Sequence, residues 1–424
     1  MKNRNLKVTI NGTGFAADYS AQTYGMMPHK NGVAIELAGV TSGKISNAET
    51  FAEKYKVGQA FTSHAEMLQS VRPDIDNIAC ANFAHGPYTI EAAEAGVPVI
   101  VLEKPPVIWP GYPEGRESDA ETRKNESMDY LKCVLDAVRE KGSRLLYAED
   151  FIYFDGVKAL VELLIEAHKT DKGKVLYQFG VCAHRGSHAP AYDTPSLSGG
   201  GALFQKTCHP LGPCLFLKQV EGILRDGKPI RPAKVSAVAL QVLKNQDESS
   251  GEHFRVMQNV DDFARLTVVF EDQTVAEALG HDLNITGIRN ELSIITDFAK
   301  YDIRANPNNE NELFLPAAEP AGDLLFREKL PTPTGTSFPR PNQFHSHGYV
   351  NEMSDAVDCA LDPERYPQSG PMMAWDTMAV LMAGYESAEK QGQFVDVGEL
   401  VGSREFTANE MPDPSRFGPV LQRI

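Results

Sequence analysis

The stretch that decides the fold is Gly12-Thr13-Gly14-Phe15-Ala16-Ala17, which directly follows the first apolar run of the chain, at residues 6–10. A helical pattern begins immediately after it. An apolar strand, a glycine-rich turn and a helix in this order bring backbone N–H groups to a helix N-terminus, where a pyrophosphate can approach without meeting side chains. A G-x-G-x-x-A pattern is common by itself, so its place between strand and helix is what indicates a dinucleotide-binding turn.

The chain divides into two parts by the pattern of its apolar residues. Up to about residue 150, strand patterns at 6–10, 33–40, 78–80, 97–102 and 145–147 alternate with helical patterns. This alternation predicts right-handed crossovers and a parallel sheet. Later residues contain long alternating runs that predict an open, mostly antiparallel sheet. We therefore expect an α/β protein with a Rossmann domain at 1–150 and an α+β domain at 151–424, including an arm at 402–424. Residues 106–127, rich in Pro, Gly and charge, predict a surface insertion.

Thr41-Ser42-Gly43-Lys44 follows the second predicted strand, where a dinucleotide places its adenosine ribose. A carboxylate at this point would accept hydrogen bonds from the ribose hydroxyls and repel a 2′-phosphate. The segment contains none, and a hydroxyl with a lysine suits a phosphate. Thr41, Ser42 and Lys44 therefore favour NADP over NAD. The alternative is that Lys44 is a solvated residue at the start of a helix.

Two more polar segments follow the next predicted strands. Asn82 and His85 are candidates for holding the ribose and nicotinamide portion of the cofactor, although a lone histidine is often structural. Glu103-Lys104-Pro105 follows the strand at 97–102. A lysine at the mouth of a buried site can hydrogen-bond a substrate hydroxyl, and desolvation can lower its pKa. The alternative is a surface ion pair between Glu103 and Lys104.

A glycine run opens the third segment, Ser198-Gly199-Gly200-Gly201-Ala202-Leu203-Phe204-Gln205-Lys206-Thr207-Cys208-His209. If the chain is helical from Ala202, Gln205 and His209 are four residues apart and share one face. Histidine is the natural proton acceptor near neutral pH. A hydride that leaves a carbinol carbon requires the hydroxyl proton to leave as well, and Lys104 with His209 would meet that need. The alternative is a buried histidine with a backbone partner.

These motifs resemble the Gfo/Idh/MocA oxidoreductases, the family of glucose–fructose oxidoreductase and inositol dehydrogenase, over nearly the whole chain. The resemblance implies that Lys104 and His209 act on the substrate hydroxyl and that nicotinamide binds against residues 103–105. The family pattern is roughly G-G-G-x-L-x-D-x-G-x-H-x-x-D, and here Gln205, Thr207 and Gly212 replace its first Asp, its Gly and its last Asp. A glutamine can orient a hydroxyl but cannot act as a carboxylate base, so the proton falls to His209 or Lys104.

The resemblance also places a loop at residues 182–192 over the substrate. Candidates for binding hydroxyls or a carboxylate there are His184, Arg185, His188 and Tyr192, and the positive charge of Lys206 would favour a sugar acid. Cysteines and histidines in and near this loop offer a second interpretation, a zinc site. Their spacing matches no closed structural zinc pattern, so we predict no metal.

Composition sets the expected class of partners. A net charge of −16 argues against nucleic acid, and no apolar run is long enough to cross a bilayer. Six scattered cysteines fit free thiols in a reducing compartment, so we expect a cytoplasmic protein with no membrane partner. An open sheet needs cover on its outer face, and relatives form sheet-to-sheet assemblies, so we expect a homodimer or homotetramer.

The sequence as a whole predicts an oxidoreductase that uses NADP or NAD. It would transfer a hydride between nicotinamide and a hydroxyl carbon of a sugar, glycoside, sugar acid or cyclitol, with Lys104, His209 and Gln205 at the reacting hydroxyl. Two alternatives stay open. One is a redox-neutral lyase or glycosidase that oxidises a sugar transiently with tightly bound NAD(H). The other is a sensor or scaffold that binds a nicotinamide nucleotide without turnover.

Overall fold

The computed structural model describes residues 5–112, 114–187, 189–244, 256–306, 313–315, 335–337 and 343–416. The first part of the chain contains β1 (Leu6–Asn11), α1 (Phe15–Met26), β2 (His29–Lys30), β3 (Val33–Thr41), α2 (Ile45–Tyr55), β4 (Ala60–Phe61), α3 (His64–Val71), β5 (Ile75–Ile78), α4 (His85–Glu94), β6 (Val99–Glu103), α5 (Ala120–Lys141) and β7 (Arg144–Ala148).

The second part contains α6 (Asp155–His168), β8 (Val175–Ala183), α7 (Pro195–Ser198), α8 (Ala202–Gln205), α9 (Cys208–Asp226), β9 (Pro232–Leu240), β10 (Phe263–Phe270), β11 (Val275–His281), β12 (Arg289–Thr296), β13 (Lys300–Asn306), β14 (Leu313–Leu315), β15 (Gly335–Ser337), α10 (Gln343–Ser346), α11 (Tyr349–Leu361), α12 (Pro371–Glu389), β16 (Val395–Asp396) and α13 (Gly398–Gly402). Short 3-10 turns lie at Asn82–Ala84, Asp150–Tyr153, Pro190–Asp193, Ala408–Glu410 and Pro414–Arg416.

The first sheet is the parallel sheet of a Rossmann fold, as predicted. Its order in the described chain is β2-β3-β1-β5-β6-β7, with β4 beside β3. The five long strands β3, β1, β5, β6 and β7 pair in parallel. The run at 99–102 is buried throughout, because helices cover both faces of the sheet at β6. The carboxyl ends of these strands therefore meet along one edge.

The second sheet is open and mostly antiparallel, which confirms the predicted fold class. Its order is β13-β12-β8-β11-β10-β9-β16, and within it only β8 and β11 pair in parallel. Burial alternates along β10, since one face packs against helices. The helix α9 lies on β8 and β11, and α12 lies on β9. The strand β13, which the apolar pattern did not predict, closes one edge.

The surface insertion predicted at residues 106–127 is wrong for its first residues, whereas residues 114–117 are exposed as expected. Val107, Ile108 and Trp109 are buried, and Ile108 lies against Gly199, where an added Cβ would come within 2.6 Å of its Cγ2 atom. The segment therefore packs between the two parts of the molecule. Its remainder leads into α5, whose first turn is capped by Asp119 through a 2.7 Å bond from the Thr122 N–H.

The stretch predicted as an arm folds back on the first domain where it is described. Arg404 pairs with Asp136 at 2.6 Å, and Arg139 pairs with Glu410 at 2.8 Å, so residues 404–410 lie along α5. Residues 417–424 lie outside the described part of the chain. No helix among the described residues has the length and apolar character needed to cross a membrane.

Candidate active site

A cavity of about 560 Å³ lies between the carboxyl edge of the first sheet and the second sheet. Most residues predicted for the site line it: Gly12, Thr13, Gly14, Phe15, Ala16, Thr41, Ser42, Asn82, His85, Glu103, Lys104, His184, Tyr192, Lys206 and His209. Four predicted residues are not among its lining in the described chain: Ala17, Lys44, Arg185 and Gln205. His188 lies outside the described residues. The two domains thus bring their separate motifs to one cavity.

The glycine turn forms the part of the cavity next to α1. Gly12 has φ +104°, and an added Cβ would lie 2.6 Å from the Ala79 carbonyl oxygen, so this position requires glycine. Gly14 is the N-cap of α1, and a Cβ there would meet nothing within 4 Å. The open space beside Gly14 leaves the first backbone N–H groups of α1 accessible. This cradle fits a dinucleotide pyrophosphate.

The hydroxyl groups at the end of β3 differ in their surroundings. Thr41 is buried and donates to Asn11 Oδ1 at 2.9 Å, so its hydroxyl stabilises the turn. Ser42 Oγ lies 3.4 Å from Thr13 Oγ1. Lys44 is exposed at the N-cap of α2. The acidic residues among the described lining are Glu103, Asp150 and Glu352, none of which belongs to β3.

Asn82 and His85 hold the loops around the cavity. Asn82 Nδ2 donates to the Ser198 carbonyl at 2.8 Å and so joins the first domain to the glycine run of the second. His85 Nδ1 lies 2.6 Å from the Pro105 carbonyl oxygen, and Nε2 lies 3.3 Å from the Cys80 carbonyl oxygen. Burial lowers the pKa of His85 to about 4, so its imidazole is neutral. This histidine positions the segment that follows β6.

Lys104 is half-buried in the cavity wall, and its Nζ donates to the Gln205 carbonyl at 3.3 Å. Burial alone would lower the pKa of Lys104. Tyr192, Cys208, Glu103 and Glu149 act in the opposite direction, and the pKa of Lys104 is raised above its usual value instead. The expectation of a lowered lysine pKa is therefore wrong. Lys104 is an ammonium at neutral pH, which makes it a hydrogen-bond donor and not a base.

His209 is held by carboxylates that the sequence interpretation did not assign to the site. Its Nδ1 lies 2.8 Å from Glu149 Oε1 and 3.1 Å from Asp150 Oδ1, and its ring stacks on Phe151 at 5.0 Å. Burial disfavours the charged imidazole, but Glu149 and Asp150 raise the pKa of His209. A carboxylate at Nδ1 leaves Nε2 as the ring's acceptor. The sequence feature that could have identified these carboxylates is the pair of adjacent acidic residues, Glu149 and Asp150, directly after the apolar strand β7.

Gln205 does not share a helix with His209, contrary to expectation. The helix α8 ends at Gln205, and α9 begins at Cys208. Gln205 Nε2 donates to the Ser198 carbonyl at 2.6 Å, so the side chain is turned away from the predicted task of orienting a substrate hydroxyl. Gln205 contacts the cavity group Lys104 through its backbone carbonyl, which accepts a hydrogen bond from Lys104 Nζ.

The glycine run serves close packing. A Cβ on Gly201 would lie 1.9 Å from the Asp261 carbonyl oxygen, and the Gly201 N–H donates to Tyr385 Oη at 3.0 Å. Asp261 also accepts from the Leu203 N–H at 2.6 Å. The segment that carries Gln205 is thereby fixed against the second sheet.

Lys206 is the second cation of the cavity. It is buried and donates to His184 Nδ1 at 3.2 Å, with Asp282 Oδ1 at 3.8 Å and the Tyr192 ring centroid at 5.3 Å. Nearby, Asn290 of β12 lines the cavity, and its Oδ1 has no hydrogen-bond partner among the described residues. Sequence patterns gave no reason to select Asn290, because it lies in a plain alternating strand.

Three potential metal ligands lie close together in the described chain. Donor atoms of Glu149, Cys208 and His209 are all within 4.8 Å of one another. Burial raises the pKa of the Cys208 thiol well above its usual value, although the positive charge of Lys104 acts to lower it. The positive charge of Lys104 would repel a divalent cation at this point.

Comparisons with known proteins agree with this fold. Residues 6–128 match a family model described as an oxidoreductase family with a NAD-binding Rossmann fold, Gfo/Idh/MocA. Over 105 residues, 25% of this chain, the sequence is 33% identical to D-glucoside 3-dehydrogenase of Escherichia coli (strain K12), a match that spans only 28% of that protein.

Solved structures resemble the whole chain. GenD2 from gentamicin A biosynthesis, in complex with NAD, has a TM-score of 0.73 at 18% identity, over 93% of this chain and 96% of that one. For myo-inositol 2-dehydrogenase from Lactobacillus plantarum the TM-score is 0.66 at 15% identity, over 93% and 99%. Levoglucosan dehydrogenase, in complex with NADH, has a TM-score of 0.64 at 18% identity, over 93% and 99%. At such identities the likeness shows the fold.

Proposed function

We propose that this chain is an NAD(P)-dependent dehydrogenase of a small carbohydrate or cyclitol, because residues 6–128 match the Gfo/Idh/MocA oxidoreductase family model and the fold is that of sugar and inositol dehydrogenases. The reacting group would be a secondary hydroxyl of a sugar, glycoside, sugar acid or cyclitol. One observation carries the proposal. An ammonium from the first domain, Lys104, and an imidazole from the second, His209, line the same cavity as the glycine turn of α1.

The protein residues divide the proton chemistry between them. Lys104, held charged, donates a hydrogen bond to the substrate hydroxyl and stabilises the alkoxide that develops. His209 takes the hydroxyl proton at Nε2, and the carboxylates of Glu149 and Asp150 stabilise the resulting imidazolium. The bound nicotinamide supplies the hydride acceptor. The two domains supply one group each, so substrate oxidation requires both.

A matched assay tests this function. The purified protein is incubated with NADP⁺ or NAD⁺ and a panel of sugars, glycosides, sugar acids and inositols, while nicotinamide absorbance is followed. Substrate-dependent reduction supports a dehydrogenase. Product formation without net reduction, with nicotinamide that copurifies, would support the redox-neutral lyase or glycosidase instead. Dinucleotide binding without any product would support the sensor or scaffold.

We also propose that NADP is preferred over NAD. The support is the hydroxyl of Ser42 in the cavity lining and the lack of a carboxylate in residues 41–44. Ser42→Asp should shift the ratio of NADPH to NADH affinity towards NADH by about tenfold, because a carboxylate repels the 2′-phosphate. Titration of both cofactors measures the ratio. Ser46→Asp, an exposed position on α2, serves as the matched control. An unchanged ratio in Ser42→Asp contradicts this preference.

A further inference from the structure

The helix α11 brings an unassigned acid to the cavity. It packs against α1 and against β5, β6 and β7, and so fills the place beside α1 on that face of the first sheet. Its first turn reaches the carboxyl edge of the sheet, where Tyr349, Glu352 and Met353 line the cavity. Because α11 lies about 200 residues after the first domain in sequence, no local pattern connects it with a dinucleotide site.

The Glu352 side chain is buried, and one of its oxygen atoms makes no hydrogen bond. Glu352 is 1% exposed, and its Oε1 has no hydrogen-bond partner among the described residues. Burial, followed by the charges of Glu103 and Asp150, raises the pKa of Glu352 well above its usual range. Burial and the charge of neighbouring carboxyl groups both disfavour a carboxylate at this position. They favour the protonated form of Glu352, which carries an O–H donor and a C=O acceptor side by side.

The place of Glu352 in the cavity decides which ligand it faces. It interacts with Glu103, at the end of β6, and it is contributed by a helix that contacts α1. It thus lies in the cavity wall beside α1 and near Glu103, the residue before Lys104. If the pyrophosphate lies at Gly14 and the reacting carbon at Lys104, the nicotinamide lies between them in the same cavity, within reach of this wall.

We propose that Glu352 binds the carboxamide group of the nicotinamide, donating its O–H to the amide oxygen and accepting an N–H from the amide nitrogen. A primary carboxamide presents an acceptor and a donor side by side, which is the complement of a neutral carboxylic acid. This pairing orients the ring towards the cavity side that holds Lys104 and His209. The inference rests on the proposed function, since it requires a nicotinamide cofactor.

Calorimetric titration of two variants tests the pairing. Glu352→Gln keeps one donor and one acceptor without charge, so its affinity for the preferred nicotinamide dinucleotide should stay within about twofold of the wild-type value. Glu352→Leu removes both groups and should weaken that affinity about tenfold. The matching ADP-ribose, which lacks the nicotinamide, should bind all three proteins equally. Leu361→Met, at the far end of α11 and outside the cavity lining, is the control and should leave both affinities unchanged.

A cofactor analogue sharpens the test. With a methyl ketone in place of the carboxamide, the dinucleotide loses its N–H donors, so Glu352→Leu should weaken its binding less than it weakens the natural cofactor. Equal losses for natural cofactor, analogue and ADP-ribose would overturn the pairing and indicate a structural role, such as contact with the buried Tyr24 hydroxyl. A Gln variant as weak as the Leu variant would also overturn it. If the pattern holds but no substrate is oxidised, the proposed activity fails and the pairing stands.

Discussion

Lys104 and His209 have charge states that suit different tasks, because different neighbours surround them. Acidic groups keep Lys104 protonated in spite of burial, while His209 is a titrating group whose pKa two carboxylates raise. The ammonium can therefore stabilise negative charge on a substrate oxygen, and the imidazole can accept the proton. Glu103, whose pKa burial raises to about 7, adds a further group that titrates near neutrality beside them.

Lys104→Met should reduce kcat/KM by a factor of about 100 to 10,000, the usual range for loss of a group that assists proton transfer. Methionine fills a similar volume without charge, so dinucleotide affinity should change by only a few-fold. Steady-state kinetics and cofactor titration on the same preparation check both statements. Lys141→Met, an exposed lysine at the end of α5, is the control. Retained turnover in Lys104→Met would remove Lys104 from the proposed chemistry.

Glu149→Gln should lower the pKa of His209, because the Glu149 carboxylate raises it. In the direction of alcohol oxidation the imidazole must be unprotonated, so activity rises as pH increases through this pKa. The acid limb of the profile of kcat/KM against pH should therefore move to lower pH, and the plateau should fall because the imidazolium loses its partner. Glu166→Gln, on the exposed face of α6, should leave the limb in place. A limb that moves upward would reject the proposed role of Glu149.

Some site residues are predictable from sequence for a simple reason. Residues that follow parallel strands meet at one edge, so the glycine turn, Asn82 and Lys104 can be located from strand patterns alone. The direction of the Gln205 side chain depends on the break between α8 and α9, where the Ser198 carbonyl competes for its amide. Glu352 depends on how α11 packs against a domain distant in sequence. Neither effect leaves a local signal.

At the scale of elements, the turn between β1 and α1 uses its two glycines for different purposes. Gly12 permits a left-handed backbone next to the end of β5, whereas Gly14 keeps open the space in front of α1. Residues within one short segment also differ in their surroundings, at residues 106–112, which the sequence pattern predicted to lie at the surface. Residues 106–112 contain the Pro and Gly of a loop, yet tertiary packing buries the apolar part of that segment.

Gly14→Ala should retain the wild-type melting temperature and lose at least tenfold in dinucleotide affinity, since the added methyl meets no protein atom within 4 Å and enters the ligand space. Gly12→Ala should lose both affinity and stability, by about 1–3 kcal/mol, because its backbone is strained and its Cβ meets Ala79. Thermal melts and titrations separate the two variants. Equal melting temperatures in both would contradict the assigned difference.

The cavity lies between the two sheets, and one face of the second sheet is partly exposed in the described part of the chain. The outer face of the second sheet carries exposed apolar side chains, among them Val238 at 43% and Ile295 at 38%. Large exposed apolar surfaces commonly mark association sites. The homodimer or homotetramer expected from the sequence therefore remains a prediction for this face.

Val238→Lys should reduce the mass of the particle in solution, because it adds a charge to the exposed apolar face through which the copies would associate. Size-exclusion chromatography with light scattering measures the mass. Ile45→Lys, an equally exposed apolar position on α2 of the first domain, is the control and should leave the mass unchanged. A wild-type monomer, or a Val238→Lys oligomer of unchanged mass, would contradict assembly through the sheet.

The Ser198 carbonyl accepts from Asn82 of one domain and from Gln205 of the other, and the Gln205 carbonyl in turn accepts from Lys104. These bonds form a chain of contacts that crosses the domain boundary twice, with the Lys104 ammonium at one end. A small shear between the halves is thus transmitted straight to the charged nitrogen. Substitutions at the residues that make these bonds should lower activity as if a reacting group had been lost, although Lys104 and His209 are unchanged.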